Sequence, residues 1–197
     1  MLIRVINSMK EKEFLQNYFN NFNNLTKFND ETINKLVATK KVFLETHQSG
    51  KKIMVFGNGG SAAIANHFSV DLTKNAKVRC TNYNESDLIT CFSNDFGYEK
   101  WIEKTIEFYG DKEDVLVIIS ASGKSENIVN GCKAAKKMGF KTIITLTGHD
   151  KNNPVAALGD INFNVNSKAY NHIENAHQVL LLSLVDLIIG KSEYLPS

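Results

Sequence analysis

Two apolar runs, at 53–56 and 115–119, each end in a glycine- and serine-rich turn that passes straight into a helical pattern. This strand–turn–helix order, met twice, constrains the fold more than any other feature. The first turn is Gly57-Asn58-Gly59-Gly60-Ser61 and the second is Ser120-Ala121-Ser122-Gly123-Lys124-Ser125. Runs without polar alternation, separated by helical segments, belong to a parallel sheet covered on both faces. The pattern predicts strands at 53–56, 78–81, 115–119, 142–146 and 161–165. It predicts helices at 62–72, 87–92, 99–108, 126–138 and 173–189, and a turn containing Pro154. Two more helices precede the sheet. One carries Phe14, Leu15, Tyr18, Phe19 and Phe22 up to a polar break at Asn23 and Asn24. The other runs from Asn29 or Asp30 through Ile33, Leu36, Val37, Phe43 and Leu44 to Gly50. The expected organisation is a helical hairpin over 1–50, packing on the sheet and on a neighbouring subunit, and a sheet domain over 51–197.

Ligands of such sheets bind at the carboxyl ends of the strands, where both turns fall. Glycine lets the backbone approach an anion, the first N–H groups of the following helix point at it, and serine hydroxyls add donors. Two such turns predict a phosphorylated small molecule held between them. Charge points the same way: 23 basic against 21 acidic residues, a net +2, predicts no nucleic-acid partner and no membrane partner. Lys133, Lys136, Lys137 and Lys141 read as a solvated helix face. Cys80, Cys91 and Cys132 are odd in number and widely spaced, so neither a disulfide framework nor a cysteine zinc site is expected. Residues 1–9 lack a continuous signal-peptide core, and the apolar stretch 179–189 is too short to span a bilayer. A cytoplasmic location is expected.

Two better-known phosphate motifs are imitated. Gly57, Gly59 and Ala62 satisfy a loose dinucleotide fingerprint, but the second strand ends at Thr81-Asn82-Tyr83-Asn84 instead of with the acid that holds a ribose, although Glu85 lies close. Gly123-Lys124-Ser125 ends like a P-loop, yet Ile118 stands where that motif needs glycine.

The two turns, together with His67-Phe68, Ser93-Asn94-Asp95-Phe96-Gly97, Asp114-Val115-Leu116 and Leu146-Thr147-Gly148, resemble the SIS (sugar isomerase) domain family, and within it the phosphoheptose isomerases. The resemblance covers most of the chain. It implies an α/β three-layer sandwich around a five-stranded parallel sheet of flavodoxin-like order, and a homotetramer with N-terminal helices used in oligomerisation and active sites at subunit interfaces. It assigns Ser61, Ser120, Ser122 and Ser125 to the sugar phosphate, with Asn58, Gly59, Gly60, Asn94, Asp95 and Ala121 beside them. The implied reaction converts sedoheptulose 7-phosphate to D-glycero-D-manno-heptose 7-phosphate, for lipopolysaccharide or capsule synthesis.

The match breaks at the reacting end. Members that isomerise carry a glutamate where this chain has Asp71, and a histidine where it has Leu182, which can neither move a proton nor bind a metal. Ala121, Asn75, Asn171 and Glu174 replace a threonine, an arginine, an aspartate and a glutamine. Aldose–ketose interconversion needs a base beside the carbonyl and an acid or metal for the enediolate oxygen. The resemblance leaves Asp71 as base and Glu174 as second carboxylate, acting as acid or metal ligand. No cofactor is certain. Zinc is the candidate, held by His67, Asp71 and Glu174, the first two sharing a helical face four residues apart. His172 and His177 are candidate replacement acids. Two other functions stay open: a non-catalytic sugar-phosphate sensor or tetrameric adaptor, and an isomerase for another phosphosugar.

Overall fold

Five parallel strands, β1 (Ile53–Gly57), β2 (Cys80–Thr81), β3 (Val115–Ser120), β4 (Thr142–Thr147) and β5 (Ile161–Asn164), form one sheet in the order β2-β1-β3-β4-β5. The computed structural model describes residues 8–193; the expectation of no signal-peptide core falls mostly on 1–7, outside the described residues. Every residue of β1 and β3 is buried, which explains their unbroken apolar runs. Side chains still alternate between the faces. Ile53, Val55, Val115 and Val117 meet Phe68, Leu72, Leu180 and Leu184 on one side. Met54, Phe56, Leu116 and Ile118 meet Trp101, Ile102, Ile106 and Cys132 on the other.

The first layer is built from α2 (Asp30–Gln48), α3 (Gly60–Lys74) and α8 (Tyr170–Ile189), with α1 (Ser8–Leu25) packed against α8. The second holds α5 (Trp101–Tyr109) and α6 (Glu126–Met138), flanked by α4 (Ser86–Phe96) and the short α7 (Pro154–Leu158). At the strands' amino ends a charged pin joins β1 to β3. The fully buried Asp114 accepts the Lys52 backbone N–H at 3.0 Å and the Lys52 ammonium at 2.6 Å, and Asp111 binds that ammonium at 2.7 Å. Burial works against the charge on Lys52, but its two carboxylate partners outweigh it and hold the ammonium above the usual lysine range.

Most expected elements form, with shifted ends. The first helix does not break at Asn23 and Asn24; Thr26 N–H still bonds Phe22 O, and the turn follows. Pro154 starts a helix instead of sitting in a turn, because proline suits the first helical position and the Asn153 side chain caps the Ala156 N–H at 2.8 Å. The last helix begins at Tyr170, three residues before the expected start. The second strand shrinks to two residues because Val78 N–H bonds Leu72 O instead of a strand neighbour. Among the described residues, no helix is long and apolar enough to cross a membrane. Phe14, Leu15 and Phe19 of α1, Ile33 and Val37 of α2, Val70 of α3 and Val179 of α8 lie exposed.

Candidate active site

Both serine turns leave donors free. A Cβ on Gly57 would stand 2.6 Å from the backbone of Ser61, so only glycine lets β1 turn so tightly into α3. Gly59, the residue before α3, has φ +53 and ψ −122, a conformation open to glycine, and carries no side chain to cap the helix. The N–H groups of Gly60 and Ser61 therefore have no acceptor among the described residues. After β3 the Ser120 hydroxyl accepts Gly123 N–H at 3.2 Å, and the Ser122 hydroxyl accepts Lys124 N–H at 3.3 Å. Ser125 occupies the cap position of α6 but its hydroxyl makes no capping bond, leaving the N–H groups of Glu126 and Asn127 without a described acceptor.

Between the turns lies a cavity of about 140 Å³, lined by Asn58, Ser61, Ile119, Ser120, Ala121, Ser122, Ser125, Tyr170 and Glu174. Asn58, which lines the cavity, exchanges side-chain bonds of 3.0 and 2.8 Å with Asn127, and the Tyr98 hydroxyl donates to Asn58 at 3.2 Å. These bonds fix the two turns against each other. The Glu174 carboxylate sits against Gly60, where any Cβ would collide with it. Asn94 and Asp95, expected beside the phosphate, lie on the exposed end of α4, bonded to each other at 2.9 Å, and do not line this cavity. The sequence reading missed Tyr170, Asn127 and Tyr98. Asn127 had a signal, a polar residue on the buried face of a helix just past a serine turn; Tyr170 had none, since it fell outside the expected helix.

The residues expected at the reacting end are arranged differently. His67 and Asp71 meet at 3.3 Å on α3, Gln178 of α8 donates to His67 Nδ1 at 3.2 Å, and Asn75 donates to Asp71 at 3.2 Å. The His67 side chain is 49% exposed. Gln178, Leu182 and Asp186 follow at four-residue spacing on α8. Burial, with the charge of Asp71 second, raises the Asp186 carboxyl above its ordinary range. Asp71 lies ten residues beyond Ser61 on the same helix, about 15 Å along its axis.

That separation corrects the expected constellation. Glu174 joins the phosphate turns, whereas His67 and Asp71 stand further along α3, so one chain does not bring the three proposed ligands together. Among the described residues no group of three His, Cys, Asp or Glu could hold a metal ion. With Leu182 offering no donor, the residues of one chain do not fit zinc, and no step is routed through it. The two candidate replacement acids are likewise displaced. His177 is fully buried; its Nε2–H donates to Thr147 O at 3.0 Å, and burial lowers its pKa to about 4, keeping it neutral. His172 is buried with its ring 4.2 Å from that of Tyr18. Neither lines the cavity.

Comparison with known proteins places this geometry. The family model described as the SIS domain matches residues 17–148. The chain is 36% identical over 161 residues to the phosphoheptose isomerase of Aliarcobacter butzleri, covering 75% of this chain and 84% of that protein. It is 32% identical over 190 residues to the phosphoheptose isomerase of Helicobacter pylori, covering 93% and 96%. The solved phosphoheptose isomerase of Neisseria gonorrhoeae superposes with a TM-score of 0.83 at 27% identity, over 91% of this chain and 98% of that one.

Proposed function

Because the chain belongs to the SIS-domain family and is phosphoheptose isomerase-like over most of its length, we propose that it isomerises a phosphosugar, with sedoheptulose 7-phosphate as the first substrate to test. One observation carries this reading: two uncapped helix N-termini and the hydroxyls of Ser61, Ser120, Ser122 and Ser125 surround one cavity at the carboxyl ends of β1 and β3. The phosphate enters that cradle, and Asn58, Gly59, Gly60 and Ala121 form its walls. Glu174 accepts hydroxyls of the sugar next to the phosphate.

Asp71 takes the proton from the carbon beside the carbonyl. It is held for this by Asn75 and by His67, whose own Nδ1 is occupied by Gln178, so that Nε2–H faces the carboxylate. Asp71 stands about 15 Å along α3 from Ser61, too far for a sugar seated in the same chain's cradle. The base therefore comes from a second copy of the chain, in a homotetramer closed through the exposed apolar residues of α1, α2, α3 and α8. On this reading 1–50 is the assembly hairpin, 51–197 the SIS domain, and the product heptose supplies lipopolysaccharide or capsule synthesis.

Leu182 favours a second reading, a phosphosugar-binding sensor or adaptor without turnover, because it stands where isomerising members carry histidine. The deciding experiment follows the chain with sedoheptulose 7-phosphate and other ketose phosphates, with and without zinc and chelator. Isomer appearing with wild type and lost with Asp71→Asn supports the enzyme. Tight binding of every sugar without turnover selects the sensor.

A further inference from the structure

We infer that Glu174 makes the cradle discriminate phosphorylated sugars from free phosphate, an inference that rests on the cradle being a phosphate site. Among the residues lining the cavity it alone carries a formal charge, and that charge has the sign of the ligand. No described residue forms an ion pair or hydrogen bond with its carboxylate, although buried or half-buried carboxylates ordinarily find donors. It rests against Gly60 at the start of α3, where the helix dipole and the free N–H groups would otherwise attract an anion unopposed.

A bare phosphate entering the cradle gains the serine hydroxyls and the backbone donors, but it meets the Glu174 charge with nothing between them. A phosphosugar brings hydroxyl groups on the carbons next to the phosphoester. These donate to the carboxylate and turn a repulsive neighbour into a charge-assisted hydrogen bond. Glu174 thus adds a penalty that only a hydroxylated ligand removes, which is specificity gained by opposing the wrong partner. Glutamine at this position has an amide that can donate to the anion, so it would hold sugar phosphate and free phosphate alike.

Calorimetric titration of full-length protein with inorganic phosphate, propyl phosphate, glycerol 3-phosphate and sedoheptulose 7-phosphate tests this, on wild type, E174Q and S122A. Removing one like charge from a partly screened site should tighten E174Q for inorganic and propyl phosphate by about tenfold or more, while its affinity for the two hydroxylated ligands changes by less than about threefold. S122A should weaken all four together and leave their ratios unchanged. The inference is overturned if E174Q leaves the affinity for inorganic phosphate unchanged or lower while wild type still binds the phosphosugar. If wild type and E174Q bind no phosphorylated ligand at all, the phosphate reading of the cradle fails first and takes this inference with it.

Discussion

The serine cradle and the His67–Asp71 pair sit on the same helix and follow opposite rules. At the start of α3 the chain uses glycine to keep N–H groups and hydroxyls unpaired, and it locks the surroundings with the Asn58–Asn127 bonds. Further along α3 each polar group already has a neighbour: Gln178 on His67, and His67 and Asn75 on Asp71. Unpaired donors in a rigid frame are what an anion needs on arrival. On the proposed reading, a paired carboxylate whose side chain is still 23% exposed needs only its second face, offered to another copy of the chain. If the proposed roles hold, binding and chemistry are separable: the serine cradle lies within a single chain, and the His67–Asp71 pair stands apart from it.

Mixed subunits separate the two regions directly. Asp71→Asn should lower kcat by about 10²- to 10⁴-fold, the usual range for a lost acid–base group, with little change in phosphate affinity. Ser122→Ala should lower kcat/KM by about 10- to 100-fold through a lost charge-assisted hydrogen bond. If cradle and base come from different copies, oligomers co-assembled from the two variants regain intact sites. With random pairing in a symmetric oligomer, activity should recover to about a quarter of wild type at low substrate. Mixtures that stay near the mean of the two parents would put both halves in one chain and end the two-region picture.

How much of this division could be read from the sequence depends on periodicity. Both halves of the sheet core were legible because β1 and β3 are unbroken apolar runs, and the cradle was legible because glycine and serine directly follow them. The residues that complete the cradle were hidden for physical reasons. Tyr170 precedes the first apolar residue of α8, so hydrophobic spacing placed it in a loop. The Asn58–Asn127 pair joins residues 69 apart, a contact that no local pattern encodes. The separation of Asp71 from Glu174 was only half legible. Ten residues from Ser61 to Asp71 fixes a length along one helix, but the position of Glu174 against Gly60 depends on how α8 docks on α3. Where Asn94 and Asp95 stand was hidden for the same reason: α4 turns them to solvent, away from this chain's own cavity.

A second test probes the rigidity assigned to the cradle side. His177 ties α8 to the end of β4 from within the core, and its pKa falls from the ordinary histidine value of 6.5 to about 4 in the fold. Between those values the unfolded chain binds more protons, so stability is full above about 6.5 and declines as pH falls toward 4. Integrated over the shift, the loss is about 3 kcal/mol. Urea unfolding at pH 7 and near pH 4.5 should show most of that difference, and His177→Gln should flatten this part of the profile even if it lowers stability throughout. A profile unchanged by the substitution would remove His177 from the frame that holds the cradle still.

The last test lies at Leu182, which adds no proton donor to the outward half. Leu182 shares its face of α8 with Gln178 and Asp186, and its side chain is half-buried beside the helix that carries Asp71. Leu182→His would return an imidazole with a pKa near neutrality to that stripe, with the loss of a modest apolar contact. If the chain already isomerises with Asp71 and another donor, a second donor adds little, and kcat should rise by no more than about tenfold, or about 1.4 kcal/mol. If instead the chain binds sugar without turning it over, the same substitution should create activity from none while leaving phosphosugar affinity where it was. Affinity is the control that matters, because the cradle is complete without α8 beyond Glu174. A Leu182→His protein that changes its affinity for free phosphate would show that the two regions are coupled after all.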